Sequence, residues 1–413
     1  MSINKQNCIV ILDRVMEYSL YSLAYFLPIS NALIEIFATI AIFAFLLKKV
    51  IIRKFTFDTF LDKPLLIYVV ICGISVIFST NFAISIRTFI LKLAEYVLIF
   101  FVIIESMNSR KKIRNILTIL FISSALICVD GLFQFCTHKD FIRNRVWYYD
   151  ARPFTFRIMG PFISANDFAA YISPLLIINL SLIFYKFKNF ILRIAFRILS
   201  LGLLTCLFLS FSRGAWLGFI LGAIFIILFK EKRTAFILLF VILFFASIWF
   251  LYPQDMKAGF GALFNFSDNG VKDRVVLNRI GISMFLENPL TGVGLGTFMF
   301  NFERLNNIIE YSWGPTYAHN CFLQMLAETG VLGLTSFMFV IFTLFIKSVE
   351  LIKKHEDSVY KNLSVGLLGG LLAYLVHSAF DTHFYSLQIV MIFWLLLGLL
   401  MANLRYLTQS EQK

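Results

Sequence analysis

Charged residues are scarce in this chain of 413 residues. Only 15% are Asp, Glu, Lys or Arg, whereas 59% are hydrophobic and the mean hydropathy is +0.82. A soluble globular protein carries roughly 25% charged residues, so this composition excludes that class. Uncharged apolar runs recur along the whole sequence, and about 20 such residues cross a bilayer as one helix. The runs predict an all-α polytopic integral membrane protein.

Paired cysteine motifs are also missing. The six cysteines, at positions 8, 72, 128, 136, 206 and 321, show no CxxC or other metal-ligand spacing, so we expect no metal site of that kind. Two interpretations stay open for Cys136 and Cys321: small apolar residues, or a disulfide between them. No cleavage pattern of a signal peptide is evident, so the first apolar run is expected to be retained.

The apolar runs predict about twelve transmembrane helices, with one main periplasmic loop region between the ninth and the tenth. The predicted spans are 8–29, 32–48, 64–80, 82–105, 115–135, 161–185, 193–211, 214–229, 234–252, 317–346, 362–380 and 386–404. We expect residues 1–413 to form a single transmembrane domain. Residues 253–316 would be a loop insertion with short helices, and residues 136–160 a smaller loop.

The net charge of +13 is divided unequally between the two sets of alternate loops. One set consists of short loops with 16 Lys and 7 Arg, and the other carries 3 Lys and 9 Arg. The positive-inside rule makes the lysine-rich set cytoplasmic, together with both termini, and places the two long loops outside. The basic residues form no continuous basic face in the sequence pattern, so the net charge does not indicate binding of nucleic acid.

Arginine is the main cation of the predicted outer surface. Its planar guanidinium can hold two phosphate oxygens at once, and its charge survives any ordinary pH. An anionic ligand is therefore expected on that side. Salt bridges within loops and contacts with lipid headgroups are the alternative interpretation.

The stretch YAHNCFLQMLAETG, residues 317–330, places His319 and Asn320 directly before a long apolar run. Histidine titrates near neutrality and is the usual general base. The alternative is a histidine at a helix start with a purely structural role. Glu328 would lie on nearly the opposite side of the same helix, and we predict a structural hydrogen-bonding role for it.

Three further motifs place an arginine at a predicted outer surface. FRIMGPFISANDFAAY contains Arg157 and Asn166, LSFSRGAWLGF contains Arg213, and DRVVLNRIGISMFLENPLTGVGLGTF contains Arg274. Arg274 shares one helical stripe with Asn278. An arginine between two spans is costly to desolvate unless an anion meets it, although reaching to headgroups is an equal alternative.

Several other polar residues have weaker patterns. The glycines of GVGLG, residues 292–296, predict a tight turn rather than a nucleotide-binding loop, because no strand of a βαβ unit precedes them. Lys92 and Glu95 are spaced to pair on one face of the fourth span. Asp381 and His383 would line a cavity on the outer side.

The order and sidedness of these motifs resemble the O-antigen ligase and polymerase superfamily of membrane glycosyltransferases, and within it the O-antigen ligases. The motifs cover about residues 157–335. The resemblance implies a catalytic residue, His319, and three donor-binding residues, Arg157, Arg213 and Arg274. The candidate supporting residues are Asn166, Asn278, Asn320 and Asp381.

The resemblance implies transfer of a glycan from undecaprenyl pyrophosphate to a sugar hydroxyl of lipid A–core, in lipopolysaccharide biosynthesis. The site would face the periplasm at the bacterial inner membrane, among membrane lipids. We expect inversion at the anomeric carbon. No cofactor or metal is expected, because the outer side has no DxD-type cluster and arginines would take the metal's role.

Three alternatives stay open. A polymerase of O-antigen or exopolysaccharide, or a protein O-oligosaccharyltransferase, belongs to the same superfamily. A lipid-linked oligosaccharide transporter would require ionisable residues along the middle of the bundle and internal repeats. A non-catalytic scaffold would tolerate changes of the outer arginines.

Overall fold

The computed structural model describes residues 3–53, 59–146, 157–183, 185, 188–229, 269–309, 316–356 and 358–410. These residues are almost entirely helical. Extended backbone pairs within them only at an isolated bridge between Lys139 and Val146. The predicted all-α class is confirmed for this part of the chain.

The α-helices are numbered here in chain order. They are α1 Ile3–Phe26, α2 Asn31–Ile52, α3 Asp62–Ile77, α4 Phe82–Thr88, α5 Glu95–Ser106, α6 Arg110–Thr137, α7 Ala165–Ile183, α8 Phe190–Leu209, α9 Arg213–Ile227, α10 Asn269–Glu287, α11 Phe298–Ile309, α12 Cys321–Lys354, α13 Val359–Ser378 and α14 Leu387–Ser410. A π-helical segment, Phe89–Ala94, joins α4 to α5, and a 3₁₀ turn, His383–Tyr385, precedes α14.

Six of these helices are long and apolar enough to cross a membrane: α6, α7, α8, α12, α13 and α14. The chain is therefore a multi-pass membrane protein. Helices also lie at five further predicted spans, in α1, α2, α3, α4–α5 and α9. The ninth predicted span, 234–252, lies outside the described residues. The count of twelve and the position of the main loop stay predictions.

The chain divides into two compact units. The first unit comprises Met1–Ser123, Val275–Ser364 and Ser378–Lys413. Within it α1 packs against α2, α3 against α12, and α5 against α14. Almost all of α14 is buried, as expected for a helix that is apolar on every side. The single transmembrane domain stays a prediction.

The second unit comprises Ser124–Arg274 and Val365–His377. Here small residues allow α9 and α13 to approach closely. A methyl group added at Gly218 would meet the carbonyl oxygen of Ala373, and one at Gly222 would meet that of Gly369. Such contacts between small residues are typical of helices packed within a membrane.

A buried ionic cluster joins three helices of the first unit. Lys48 and Lys49 of α2 are each 6% exposed. The amine of Lys48 lies 2.7 Å from Asp13 of α1 and 2.6 Å from Glu105 of α5. Lys49 lies 3.0 Å from the other oxygen of Glu105. The Glu105 carboxylate therefore neutralises two lysines that are both withdrawn from solvent.

We predict that Glu105→Ala destabilises the protein by about 3 kcal/mol, because removal of one partner leaves a buried charge unpaired. Unfolding in detergent micelles, followed by helicity, measures the change. Glu350→Ala is the matched control, since this exposed carboxylate also pairs with two lysines, Lys347 and Lys354. Exposed pairs contribute little to stability, because water and salt screen them. Equal effects of the two substitutions would contradict the structural role of the buried cluster.

Candidate functional site

His319 lies immediately before α12, with its backbone in the left-handed region at φ 50°. The predicted helix start at residue 317 is wrong. The helix begins at Cys321 because the side-chain oxygen of Asn320 accepts the N–H groups of Phe322 and Leu323, at 3.0 and 3.1 Å. Asn320 is thus an N-cap residue, and His319 is not on the helix.

The imidazole of His319 is held by a carboxylate. Its Nδ1 lies 3.0 Å from Oδ1 of Asp381, and 35% of the His319 side chain is exposed. An ionised carboxylate can only accept a hydrogen bond, so neutral His319 carries its proton on Nδ1 and leaves Nε2 as the basic nitrogen. This pair has the arrangement required of an oriented general base.

The segment that contains Asp381 is fixed to the start of α12. The thiol of Cys321 donates to the backbone carbonyl of Asp381 at 3.0 Å and accepts the N–H of Phe384 at 3.4 Å. Oδ1 of Asp381 also accepts the N–H of Thr382 at 2.8 Å. Cys321 and Cys136 are both free thiols, so the disulfide left open by the sequence is not formed.

A second histidine in this region does not suit the role of base. His383 is fully buried. Burial lowers the pKa of His383 to about 4, and the neighbouring His319 adds to this effect against the opposing effect of Asp381. His383 is therefore neutral at neutral pH and would not take up a proton there.

The helix α12 is interrupted at Gly330, whose backbone has φ 65° and ψ −172°. Around this break the loop of residues 288–297, here called the glycine loop, bonds to the helix. The N–H of Val331 donates to the carbonyl of Pro289 at 2.8 Å. The N–H of Gly294 donates to the backbone carbonyl of Glu328 at 2.9 Å. GVGLG is therefore a turn that inserts into a helix break.

The carboxylate of Glu328 is the centre of this arrangement and is 1% exposed. One oxygen accepts the N–H of Gly296 at 2.9 Å and the hydroxyl of Tyr385 at 3.0 Å. The other accepts the N–H of Phe298 and the side-chain amide of Gln324, each at 3.3 Å. Four donors satisfy this buried group, which agrees with the structural role predicted for it.

Arg157 belongs to the second unit, where neutral acceptors hold its guanidinium. Nε donates to the carbonyl of Ser210 at 2.8 Å, and Nη2 donates to Oδ1 of Asn166 at 2.7 Å. The backbone around it is fixed by Gln134, whose side-chain oxygen accepts the N–H groups of Met159 and Gly160 at 2.9 Å each.

Arg213 is the first residue of α9 and is exposed. The preceding Ser212 places its hydroxyl 3.1 Å from Nε2 of His377 and makes no side-chain cap to α9. The positive end of the helix dipole adds to the charge of Arg213. Since Ser210 is three residues before Arg213, the structure brings the Arg157 guanidinium onto the segment that leads into Arg213.

Arg274 and Asn278 lie one turn apart on α10, and both are half-buried. Arg279 is exposed instead. The side-chain oxygen of Asn278 is buried and has no hydrogen-bond partner in the described part of the chain. The roles of Arg274 and Asn278 stay predictions.

The structure therefore brings together two pairs of predicted site residues, His319 with Asp381 and Arg157 with Asn166. It does not bring Lys92 and Glu95 into an ion pair within the described residues. The physical reason is the π-helical segment that contains Lys92 and ends before Glu95. Its wider turn removes the facing geometry of residues three apart in an α-helix.

Sequence reasoning missed three features of the site. The partner of His319 is 62 residues away along the chain, and no local pattern indicates such a contact. The break at Gly330 had a local signal, because glycine within an apolar helix often marks an irregular backbone. The Asn320 cap also had one, since asparagine before an apolar run is a common helix start.

Comparison with known proteins gives two findings. Residues 198–338 match the family model described as O-antigen ligase, and this range includes Arg213, Arg274 and His319. The chain is also 23% identical over 350 residues to the teichuronic acid biosynthesis protein TuaE of Bacillus subtilis (strain 168). That match covers 78% of this chain and 66% of the relative, just under two thirds of its length.

We predict that Gly330→Ala destabilises the protein by about 2 kcal/mol or more, since φ 65° is strained for alanine. The added methyl group would also meet the carbonyl of Leu290. Gly73→Ala is the control, because its methyl group would lie 3.8 Å from the ring of Phe89 within regular helix α3. Denaturation in micelles compares the two. A Gly330→Ala protein as stable as Gly73→Ala would contradict the helix break.

Proposed function

We propose glycan transfer for this chain, whose resemblance to the O-antigen ligase and polymerase superfamily of membrane glycosyltransferase-like enzymes is supported by the family match. A ligase or polymerase type of function, with a lipid-linked glycan donor and a membrane-bound acceptor, fits that superfamily. The single observation on which this proposal rests is the hydrogen bond between His319 and Asp381. It supplies a solvent-accessible base with a defined tautomer.

In the proposed step Nε2 of His319 takes the proton of an acceptor hydroxyl. The hydroxyl oxygen attacks the anomeric carbon of the donor from the face opposite the leaving group. The new glycosidic bond forms as the bond from the anomeric carbon to the phosphate oxygen breaks. The electron pair departs with undecaprenyl pyrophosphate, and the configuration is inverted. Asp381 stabilises the imidazolium that results.

Arg157, Arg213 and Arg274 are proposed to bind the pyrophosphate. Negative charge develops on this group as it departs, and fixed cations that meet such charge lower the barrier. The bonds of Arg157 to Ser210 and Asn166 support this role, since they fix the direction of its guanidinium. We propose that these arginines make a divalent cation unnecessary.

The acceptor is proposed to be a sugar hydroxyl of lipid A–core, on the outer side of a bacterial inner membrane. A second candidate is polymerisation, in which the acceptor is itself a lipid-linked glycan. The relative TuaE is named as a teichuronic acid biosynthesis protein, and a product other than lipopolysaccharide favours this alternative. Purified protein offered a lipid-linked glycan with each acceptor in turn distinguishes the two on a gel. The absence of product with both acceptors would refute glycan transfer.

We predict that His319→Asn lowers the transfer rate about 10²–10⁴-fold, the usual contribution of a general base. Asparagine tolerates the left-handed backbone of this position, so the variant is expected to fold and to bind donor. Asp381→Asn removes the orienting carboxylate and should lower the rate about 10²-fold. Single-turnover transfer of a radiolabelled glycan measures both.

His138→Asn is the matched control for His319→Asn. It replaces another histidine with a left-handed backbone, φ 57°, and it is expected to leave the rate unchanged. A His319→Asn protein with near-normal transfer would remove this histidine from the mechanism. Loss of donor binding in that variant would instead assign His319 to substrate binding.

We predict that Arg213→Lys lowers transfer about tenfold or more, because lysine keeps the charge and loses the two-point contact with phosphate oxygens. Arg279→Lys is the control, since it changes an exposed arginine that the site does not use. Both are assayed with and without EDTA. Activity that survives only without EDTA would contradict the metal-independent role of the arginines.

A further inference from the structure

A cavity in the first unit is lined by side chains that the proposed reaction does not use. Its polar lining includes Lys92, Thr88, Tyr317 and Glu328, and Trp394 is among its aromatic residues. Cavities that are mainly apolar with a few placed polar groups are typical of small-ligand sites. The cavity is formed by α3, the α4–α5 region, the glycine loop, α12, the 3₁₀ turn and α14.

Lys92 is the cation of this cavity. It lies in the π-helical segment Phe89–Ala94, and such segments occur frequently at functional sites. In the described part of the chain the side chain of Lys92 is exposed and makes no hydrogen bond or ion pair with the protein. Lys48 and Lys49 of the same unit are both paired with carboxylates. A lysine without such a partner within a predicted span indicates an anion that the protein itself does not supply.

Glu328 also lines the cavity, but hydrogen-bond donors of the protein already occupy its carboxylate. Its two carboxylate oxygens accept four hydrogen bonds from the protein. Burial raises the pKa of Tyr385, one of those donors, well above its ordinary value. Tyr385 therefore stays protonated and keeps its bond to Glu328. The cavity is thus lined by an ammonium group and by a carboxylate that structural donors occupy.

Aromatic side chains supply flat surfaces next to this charge. The rings of Tyr317 and Tyr385 lie 5.1 Å apart with an angle of 31° between their planes. Tyr96 and Trp394 also line the cavity. Aromatic rings that carry a polar group present an apolar face and a hydrogen-bonding tip. This combination fits a sugar ring, which has apolar faces and a rim of hydroxyl groups.

The cavity continues into the segments that hold the proposed base. Tyr317 is two residues before His319, and Phe384 is three residues after Asp381. A ligand in the cavity would therefore lie beside the chain segments that present the imidazole. This position suits a sugar unit of the glycan rather than its lipid.

We infer that this cavity binds a sugar unit that carries a carboxylate or a phosphate, and that Lys92 pairs with that anion. The inference deepens the proposed function, and it rests on that function in taking the ligand to be part of a glycan. An anionic phospholipid headgroup shares the chemistry of the ligand, so the test separates these two sources.

The test measures binding to the purified full chain in phosphatidylcholine nanodiscs. The probes are a glucuronate-containing disaccharide and the same disaccharide with its carboxyl group reduced to an alcohol. The acidic probe is expected to bind about tenfold more tightly, since an ion pair adds a charge-assisted bond. Lys92→Met should abolish that preference, and Lys92→Arg should retain it. Lys63→Met, which changes an exposed lysine outside the cavity, should bind as the parent does.

Equal binding of both probes, or a preference that survives in Lys92→Met, would overturn the inference. Native mass spectrometry after addition of phosphatidylglycerol tests the other source. If lipid retention depends on Lys92 and the acidic sugar is not preferred, the cavity binds a lipid headgroup. That result would overturn the inference as well. The binding assay needs no turnover. Charge-selective binding without glycan transfer would therefore refute the proposed function alone, and transfer without charge-selective binding would refute only this inference.

Discussion

The buried carboxylate of Glu328 needs hydrogen-bond donors, because an unpaired polar or charged group in an apolar interior costs several kcal/mol. Its donors come from four elements: the glycine loop, the start of α11, the 3₁₀ turn and α12 itself. The break of α12 at Gly330 helps to hold the glycine loop near this carboxylate, since backbone groups at the break bond to that loop. It also explains the position of Tyr385, whose ring forms part of the cavity wall beside Tyr317.

The helices could be predicted from the sequence because a bilayer demands long apolar runs with internal hydrogen bonds. Each apolar run meets this requirement by itself, so local hydropathy is enough to identify the run. The ends of helices depend on single residues instead. The span predicted to start at residue 317 begins later in the structure, because the carboxamide of Asn320 caps a helix that starts at Cys321. A hydropathy window does not register a cap of this kind, whereas the residue type does.

The sequence could specify the residue types of the candidate site but not most of its contacts. Histidine and arginine at predicted outer surfaces indicate chemistry on charged substrates, and this follows from the side chains alone. The pairing of His319 with Asp381 joins positions 62 residues apart, and only the folded chain specifies it. For Lys92 the sequence predicted a contact that the described residues do not form. Its spacing from Glu95 suits an α-helix, but the π-helical segment changes the direction of its side chain.

The left-handed backbone of His319 and the cap of Asn320 act together on the imidazole. If the helix began two residues earlier, the imidazole would lie on the helix surface, directed by helical geometry. The cap makes the helix start at Cys321, after His319, and the left-handed φ turns the chain at His319. Asp381 then fixes one ring nitrogen, while Cys321 holds the backbone of Asp381. A base held at one nitrogen and by its backbone loses little freedom when a substrate arrives. Such preorganisation is the means by which this imidazole, as the proposed base, would accelerate the proposed glycan transfer.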